Sequence, residues 1–170
     1  MSETDVFITS LGRTGTKWLA ECLGWPHEPS SVKPRMVSPR HLQIVTLRKW
    51  KPPKNCKIIV ITRDPNDQIL SIMNRWLALN QPITNKDLWV DAKLKQLGTL
   101  SRFVSHGAKV IRYEEMIQGP EKLAELLDPY PVEWTEERFN SYPKLIRIIS
   151  PWALPLRDRL RKEYMRWHQG

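Results

Sequence analysis

What most restricts the fold of this chain is a junction near its amino end, where a short apolar run stops at a pair of glycines and an amphipathic stretch begins. Asp5-Val6-Phe7-Ile8-Thr9-Ser10 reads as a buried strand, and Leu11-Gly12-Arg13-Thr14-Gly15 follows with two residues able to take positive φ. Thr16 to Leu23 then has helical periodicity, Gly24 is placed to end that helix, and Pro26 prevents its continuation. A strand that turns directly into a helix is the first half of a β-α-β unit, and the downstream sequence supplies the rest. Lys57-Ile58-Ile59-Val60-Ile61-Thr62 is a second strand. Asp64-Pro65 opens a helix running to about Leu79, with Ile69, Leu70, Met73, Trp76 and Leu77 on one stripe. Asn85 is placed to cap a long helix, Ala108 to Tyr113 reads as a third strand, and Glu121 to Leu127 as a short helix. Strands alternating with helices predict an α/β, P-loop-like three-layer fold, with a small, mainly parallel sheet flanked by helices. From Asp128 onward Pro129, Pro131, Pro143, Pro151 and Pro155 interrupt the chain, although Arg157 to Arg166 reads as a helix. We therefore expect one domain over residues 1–170, with a core of about 5–127 and a helical, proline-broken segment over 128–170.

Charge points toward anions. The chain of 170 residues has 27 Lys and Arg against 18 Asp and Glu, a formal charge of +9. Between Glu28 and Asp64 there is no acidic residue, while Lys33, Arg35, Arg40, Arg48, Lys49, Lys51, Lys54, Lys57 and Arg63 are all cationic. A nucleic acid is one partner such a surface suits, and the eight tryptophans are compatible with stacking on bases or with ordinary packing. Cys22 and Cys56 are too few for a disulfide framework. The acidic start Ser2-Glu3-Thr4-Asp5 lacks the form of a secretory leader, and the longest aliphatic run is Ile58 to Ile61, so a soluble, cytoplasmic protein without membrane insertion is expected.

The first loop has the chemistry of an oxyanion cradle. Between a strand end and a helix start, Gly12 to Thr16 can aim backbone N–H groups at one point, where the helix dipole adds positive potential. Arg13 adds a guanidinium fork, Thr14 and Thr16 add hydroxyl donors, and Lys17 adds a compact charge. A Walker A loop does not fit: with Gly15 as its last glycine, Ser10 stands where the first is required and Thr16 where the lysine is required.

Ser10-Leu11-Gly12-Arg13-Thr14-Gly15-Thr16-Lys17-Trp18-Leu19 resembles the 5′-phosphosulfate loop of sulfotransferases that use 3′-phosphoadenosine 5′-phosphosulfate, PAPS. It keeps that loop's basic residue, hydroxyl, glycine and threonine in order, with Gly12 for the family's proline and Lys17 for its second threonine. Ile59-Val60-Ile61-Thr62-Arg63-Asp64-Pro65-Asn66-Asp67 through Ser71 resembles the family's 3′-phosphate motif, with Arg63 and Ser71 at the spacing of its two phosphate ligands. Val110-Ile111-Arg112-Tyr113-Glu114-Glu115-Met116 is similar to its Tyr-Glu-Asp segment. The resemblance covers residues 5–76 and 108–127; the family's later Arg-Lys-Gly-x-x-Gly loop is absent, Arg161-Lys162-Glu163 having the basic pair without the glycines.

The resemblance implies a small soluble sulfotransferase of bacterial or viral type. It would move a sulfuryl group from PAPS to a hydroxyl or amine of an acceptor (carbohydrate, small molecule, lipid or peptide), with no metal. Arg13, Thr14, Gly15, Thr16, Lys17, Trp18, Arg63, Ser71 and Tyr113 would bind the donor, the aromatic rings of Trp18 and Tyr113 lying against adenine. Arg13 and Lys17 would stabilise charge on the departing phosphate. His41 would take the acceptor's proton, since His41-Leu42 followed by the second strand resembles the family's His-Leu-Pro segment; His27 and Glu28 are alternative bases. Two other classes stand beside this reading: a non-catalytic binder of anionic nucleotides with the same fold, and a basic nucleic-acid-binding protein whose affinity falls steeply with salt.

Overall fold

The computed structural model describes residues 6–24, 42–45, 55–80, 83–135 and 145–169. Strand β1 is Val6–Thr9 and helix α1 Thr16–Leu23. Strand β2, Leu42–Val45, precedes β3, Lys57–Thr62, and α2, Pro65–Ala78. Helix α3 is Lys86–Ser105, β4 is Lys109–Arg112, and α4 is the single turn Tyr113–Met116. Helix α5, Pro120–Leu127, a 3-10 turn over Pro151–Ala153 and the carboxyl-terminal α6, Leu154–Gln169, complete the described elements.

Local chemistry sets most of these boundaries. Gly24 closes α1 in the left-handed conformation at φ 67°, its N–H reaching back to the carbonyls of Ala20 and Glu21. Asp64 caps α2 by accepting from the Asp67 N–H at 3.1 Å, with Pro65 in the first turn, and Asn85 caps α3 by accepting from Leu88 at 3.1 Å. All four strands are parallel, in the order β2-β1-β3-β4. Val6 stands opposite both Leu42 and Lys57, and Ile59 opposite Lys109.

The sheet is covered on both faces, which is why its strands read as continuous apolar runs. Alternation along β3 sends Ile59 and Ile61 to one side and Val60 to the other. The first side joins Val6 and Ile8 to α1, α4 and α5 through Leu19, Met116, Leu123 and Leu127. The second joins α2, α3 and α6 through Ile69, Met73, Leu97, Leu100, Leu156 and Leu160. The three-layer α/β arrangement expected from the sequence is the one observed, and the helix beyond the proline-rich segment is built into its second core layer.

Two differences have physical causes. Strand β2 is absent from the sequence reading, because Leu42-Gln43-Ile44-Val45 is a four-residue run within a basic, proline-rich stretch and acquires its strand identity by pairing with β1. The buried stripe of α2 is rotated relative to the expected one: Leu77 is 40% exposed, whereas Gln68 is fully buried beside Ile69, Ile72 and Met73. A buried amide in an apolar stripe needs partners, and those of Gln68 lie at the candidate site.

The layers also fix where a ligand belongs. After β1 the chain leaves for the face that α1 covers; after the neighbouring β3 it leaves for the face that α2 covers. The carboxyl ends of β1 and β3 thus flank a topological switch point, where a crevice opens in sheets of this kind.

Candidate active site

Both motifs singled out in the sequence face this crevice. Gly12, Arg13 and Gly15 all have positive φ, at 107°, 58° and 78°, so the loop between β1 and α1 is a tight reversal containing one strained non-glycine residue. A left-handed arginine costs about 1–2 kcal/mol of backbone energy, and such strain persists only where neighbours over-determine it. They do so here. The Arg13 Nε donates to Ser71 Oγ at 3.0 Å, and the Arg13 carbonyl accepts from an Arg63 terminal nitrogen at 3.1 Å. Arg13, Arg63 and Ser71, separated by as many as 58 positions in sequence, are therefore one hydrogen-bonded group. Arg63 and Ser71 each bond Arg13, one at its carbonyl and the other at its Nε, and no bond between the two is seen among the described residues.

Further contacts hold the loop from behind. The Gly12 N–H donates to Ser10 Oγ at 3.0 Å, and the Gly12 carbonyl accepts from Gln68 Nε2 at 2.7 Å. The other end of the Gln68 amide accepts from the Tyr164 hydroxyl at 2.9 Å, a fully buried bond linking α6 to α2. Burial pushes the Tyr164 phenol well above its ordinary range, with the Gln68 hydrogen bond opposing, so the hydroxyl stays protonated and donates. Lys93 on α3 donates to the Leu11 carbonyl at 3.3 Å. Gln68, Tyr164 and Lys93 were missed in the sequence; a glutamine on an otherwise apolar helical stripe is the one signal that pointed to this support. Tyr164→Phe should lower unfolding stability by about 1–3 kcal/mol, the cost of leaving a buried amide oxygen unpartnered. Chemical denaturation checks this, and an unchanged midpoint would show that the hydroxyl carries no such load.

The remaining expected residues are placed as follows. Thr14 is fully buried and its hydroxyl has no hydrogen-bond partner; the Arg63 Nε is likewise buried without one. Gly15 is the N-cap of α1 and brings no side chain to the first-turn N–H groups. Thr16 is half-buried on that turn, whereas Lys17 is exposed. The Tyr113 ring is covered on one face by the Arg63 guanidinium, 4.5 Å from its centroid. Trp18 is a core side chain, 5% exposed; its indole N–H donates to the Thr135 carbonyl at 3.1 Å and its ring meets Trp134 edge-on at 5.3 Å. Contact between Trp18 and a purine would require those two neighbours to give way. His41, His27 and Glu28 lie outside the described residues.

One histidine near the site had no part in the sequence reading. His168 on α6 has Nε2 2.8 Å from Thr62 Oγ1 at the end of β3. Burial and the nearby charge of Arg112 push its imidazolium below the ordinary range, with Glu115 opposing, so the ring is neutral at pH 7. Among the described residues no group of three or more His, Cys, Asp or Glu could hold a metal ion, and no helix is long and apolar enough to cross a membrane. A cavity of about 1100 Å³ lies away from this crevice, at the amino ends of β3 and β4 beside Lys57, Ile58, Ala108 and Lys109.

The family model for the sulfotransferase domain matches residues 27–142, more than half of the chain. This chain belongs to the sulfotransferase domain family. The matched span of this sulfotransferase-family chain contains Arg63, Ser71 and Tyr113; the glycine loop and α6 lie outside it. A comparison with curated proteins finds no match. Among solved structures, one described as the crystal structure of mouse sulfotransferase SULT7A1 complexed with PAP aligns with a TM-score of 0.49 at 17% identity. The alignment covers 95% of this chain and 64% of that one, so the present chain spans less than two thirds of that relative.

Proposed function

We propose that this chain is a sulfotransferase that takes the sulfuryl group from PAPS and passes it to a hydroxyl or amine of an acceptor. The observation that carries the reading is the Arg13–Ser71–Arg63 group, which joins the glycine loop to the strand-end motif at the switch point. The donor set fits a phosphosulfate: a left-handed glycine loop, an uncapped helix start, two arginines, and a buried hydroxyl and guanidinium nitrogen with hydrogen-bonding capacity to spare. Family membership supports the same chemistry.

PAPS supplies a sulfuryl group already joined to a good leaving phosphate. The bond from sulfur to that phosphate oxygen breaks, a bond from sulfur to the acceptor oxygen or nitrogen forms, and the acceptor's proton passes to a base. The protein's contribution is alignment and charge. Arg13, fixed by Ser71 and by its own strained backbone, holds its guanidinium where negative charge grows on the leaving oxygen, and little reorganisation accompanies the reaction. The first-turn N–H groups of α1 add to this field, and Lys17 contributes from the exposed side. Arg63 and Ser71 take the nucleotide's second phosphate, and Tyr113 lies on its adenine side, with Trp18 joining it only where Trp134 and Thr135 give way. His41 is the proposed base, with His27 and Glu28 as the alternatives.

Transfer of labelled sulfate from PAPS to a panel of sugars, phenols, lipids and peptides tests the proposal. Labelled product that requires the enzyme supports it; a chain that binds the nucleotide yet labels none of these acceptor classes argues for the non-catalytic binder.

A further inference from the structure

The loop between β1 and α1 is gripped at three successive carbonyls, each by a side chain from a different part of the fold. Lys93 of α3 donates to the Leu11 carbonyl at 3.3 Å, Gln68 of α2 to that of Gly12 at 2.7 Å, and Arg63, just past β3, to that of Arg13 at 3.1 Å. The peptide bonds of this loop are trans. In a planar trans peptide the carbonyl and the N–H of the next residue point in opposite directions, so whatever holds one aims the other. Holding the Leu11 carbonyl aims the Gly12 N–H, which donates to Ser10 Oγ at 3.0 Å. Holding the Gly12 carbonyl aims the Arg13 N–H away from buried Gln68. Of the three donors, Gln68 isolates this effect. Lys93 and Arg63 carry charges that an anion feels directly, whereas Gln68 is neutral and fully buried. A carbonyl can only accept, so the Gly12 oxygen selects the NH2 end of the amide, and the Oε1 left over accepts from the Tyr164 hydroxyl of α6 at 2.9 Å. An amide with both ends committed cannot turn without breaking a buried hydrogen bond, which is costly.

We propose that Gln68, locked by Tyr164, is a positioning residue of the donor site: by fixing the Gly12–Arg13 peptide it turns a backbone N–H of the loop toward the bound oxyanion, and it makes the carboxyl-terminal helix part of the loop's geometry. The proposal rests on the reading of the glycine loop as the cradle of the donor's 5′-phosphosulfate. Gln68 touches no ligand itself and acts through the peptide it holds. Its influence therefore falls on groups bound by the loop and not on a phosphate held elsewhere.

Gln68→Met keeps the length of the side chain and removes the clamp without adding a charge. In calorimetry on the full chain it should weaken adenosine 5′-phosphate and adenosine 3′,5′-bisphosphate by the same factor, about tenfold, the scale of one backbone contact to phosphate, and leave adenosine 3′-phosphate unchanged. Because Gln68→Met also strands the Tyr164 hydroxyl, stability is separated from position by combining it with Tyr164→Phe, so that both buried partners become apolar. The unfolding midpoint of this double variant should recover most of what Tyr164→Phe alone loses, while its affinity for both 5′-phosphorylated nucleotides stays about tenfold down. Affinity that returns together with the midpoint, unchanged affinity in Gln68→Met, or an equal loss for adenosine 3′-phosphate would each overturn the proposal. Should the unaltered chain bind none of the three nucleotides, the donor reading fails by itself. The backbone amide resonances of Arg13 and Thr14 in the unliganded chain, which Gln68→Met should displace, then decide whether Gln68 sets this peptide, and resonances left in place would overturn it.

Discussion

Replacement of Arg13 by alanine should lower turnover by about a hundred- to a thousandfold, the loss typical when one preorganised donor to a developing oxyanion is removed. The expectation follows from how the side chain is held. Its Nε is fixed on Ser71 Oγ at 3.0 Å, and its backbone takes a left-handed conformation that few non-glycine residues adopt. An arginine kept there at a conformational cost is worth most where its charge is needed without rearrangement. Because alanine would retain the strained φ of 58°, Arg13→Gly is the more discriminating variant: it relieves the backbone and removes only the side chain. The glycine variant should fold at least as stably and still lose turnover, with a much smaller change in acceptor KM. Turnover retained in Arg13→Gly would remove this residue from the mechanism.

Arg63→Ala carries the second large effect. Its guanidinium donates to the Arg13 carbonyl and stacks on the Tyr113 ring, so its loss opens the junction between loop and strand. Binding of adenosine 3′,5′-bisphosphate should weaken by about ten- to a hundredfold, the range for a charge-assisted contact to phosphate. Adenosine 5′-phosphate should lose far less if, as proposed, its single phosphate lies in the glycine loop. Isothermal calorimetry with both ligands makes the comparison, and equal losses would mean that Arg63 acts on the loop's shape rather than on a second phosphate.

The sequence was legible wherever the determinants are local. The glycines of the first loop, Gly24 at the end of α1, and the Asp64-Pro65 and Asn85 starts act within a few residues of themselves, and the corresponding elements fall where those signals place them. Features that depend on remote partners were not. Gln68 is a polar residue on an apolar stripe until Tyr164, 96 positions later, and Gly12 receive its two ends. Lys93 lies 82 positions from the carbonyl it holds. Strand β2 needs the edge of β1, and His168 meets Thr62 only because α6 folds back beside the end of β3. Arg63 and Ser71 were paired by the resemblance of their segment to the family's motif; that Arg13 joins them was not readable, since nothing local marks its left-handed backbone.

The most direct measurement is calorimetric titration of the unaltered chain with adenosine 3′,5′-bisphosphate, repeated at high salt and with Arg63→Ala. Saturation is expected at one ligand per chain, with affinity that persists in salt and falls about ten- to a hundredfold in the variant. Absence of binding, or a salt-labile association of many ligands that ignores Arg63, would contradict it.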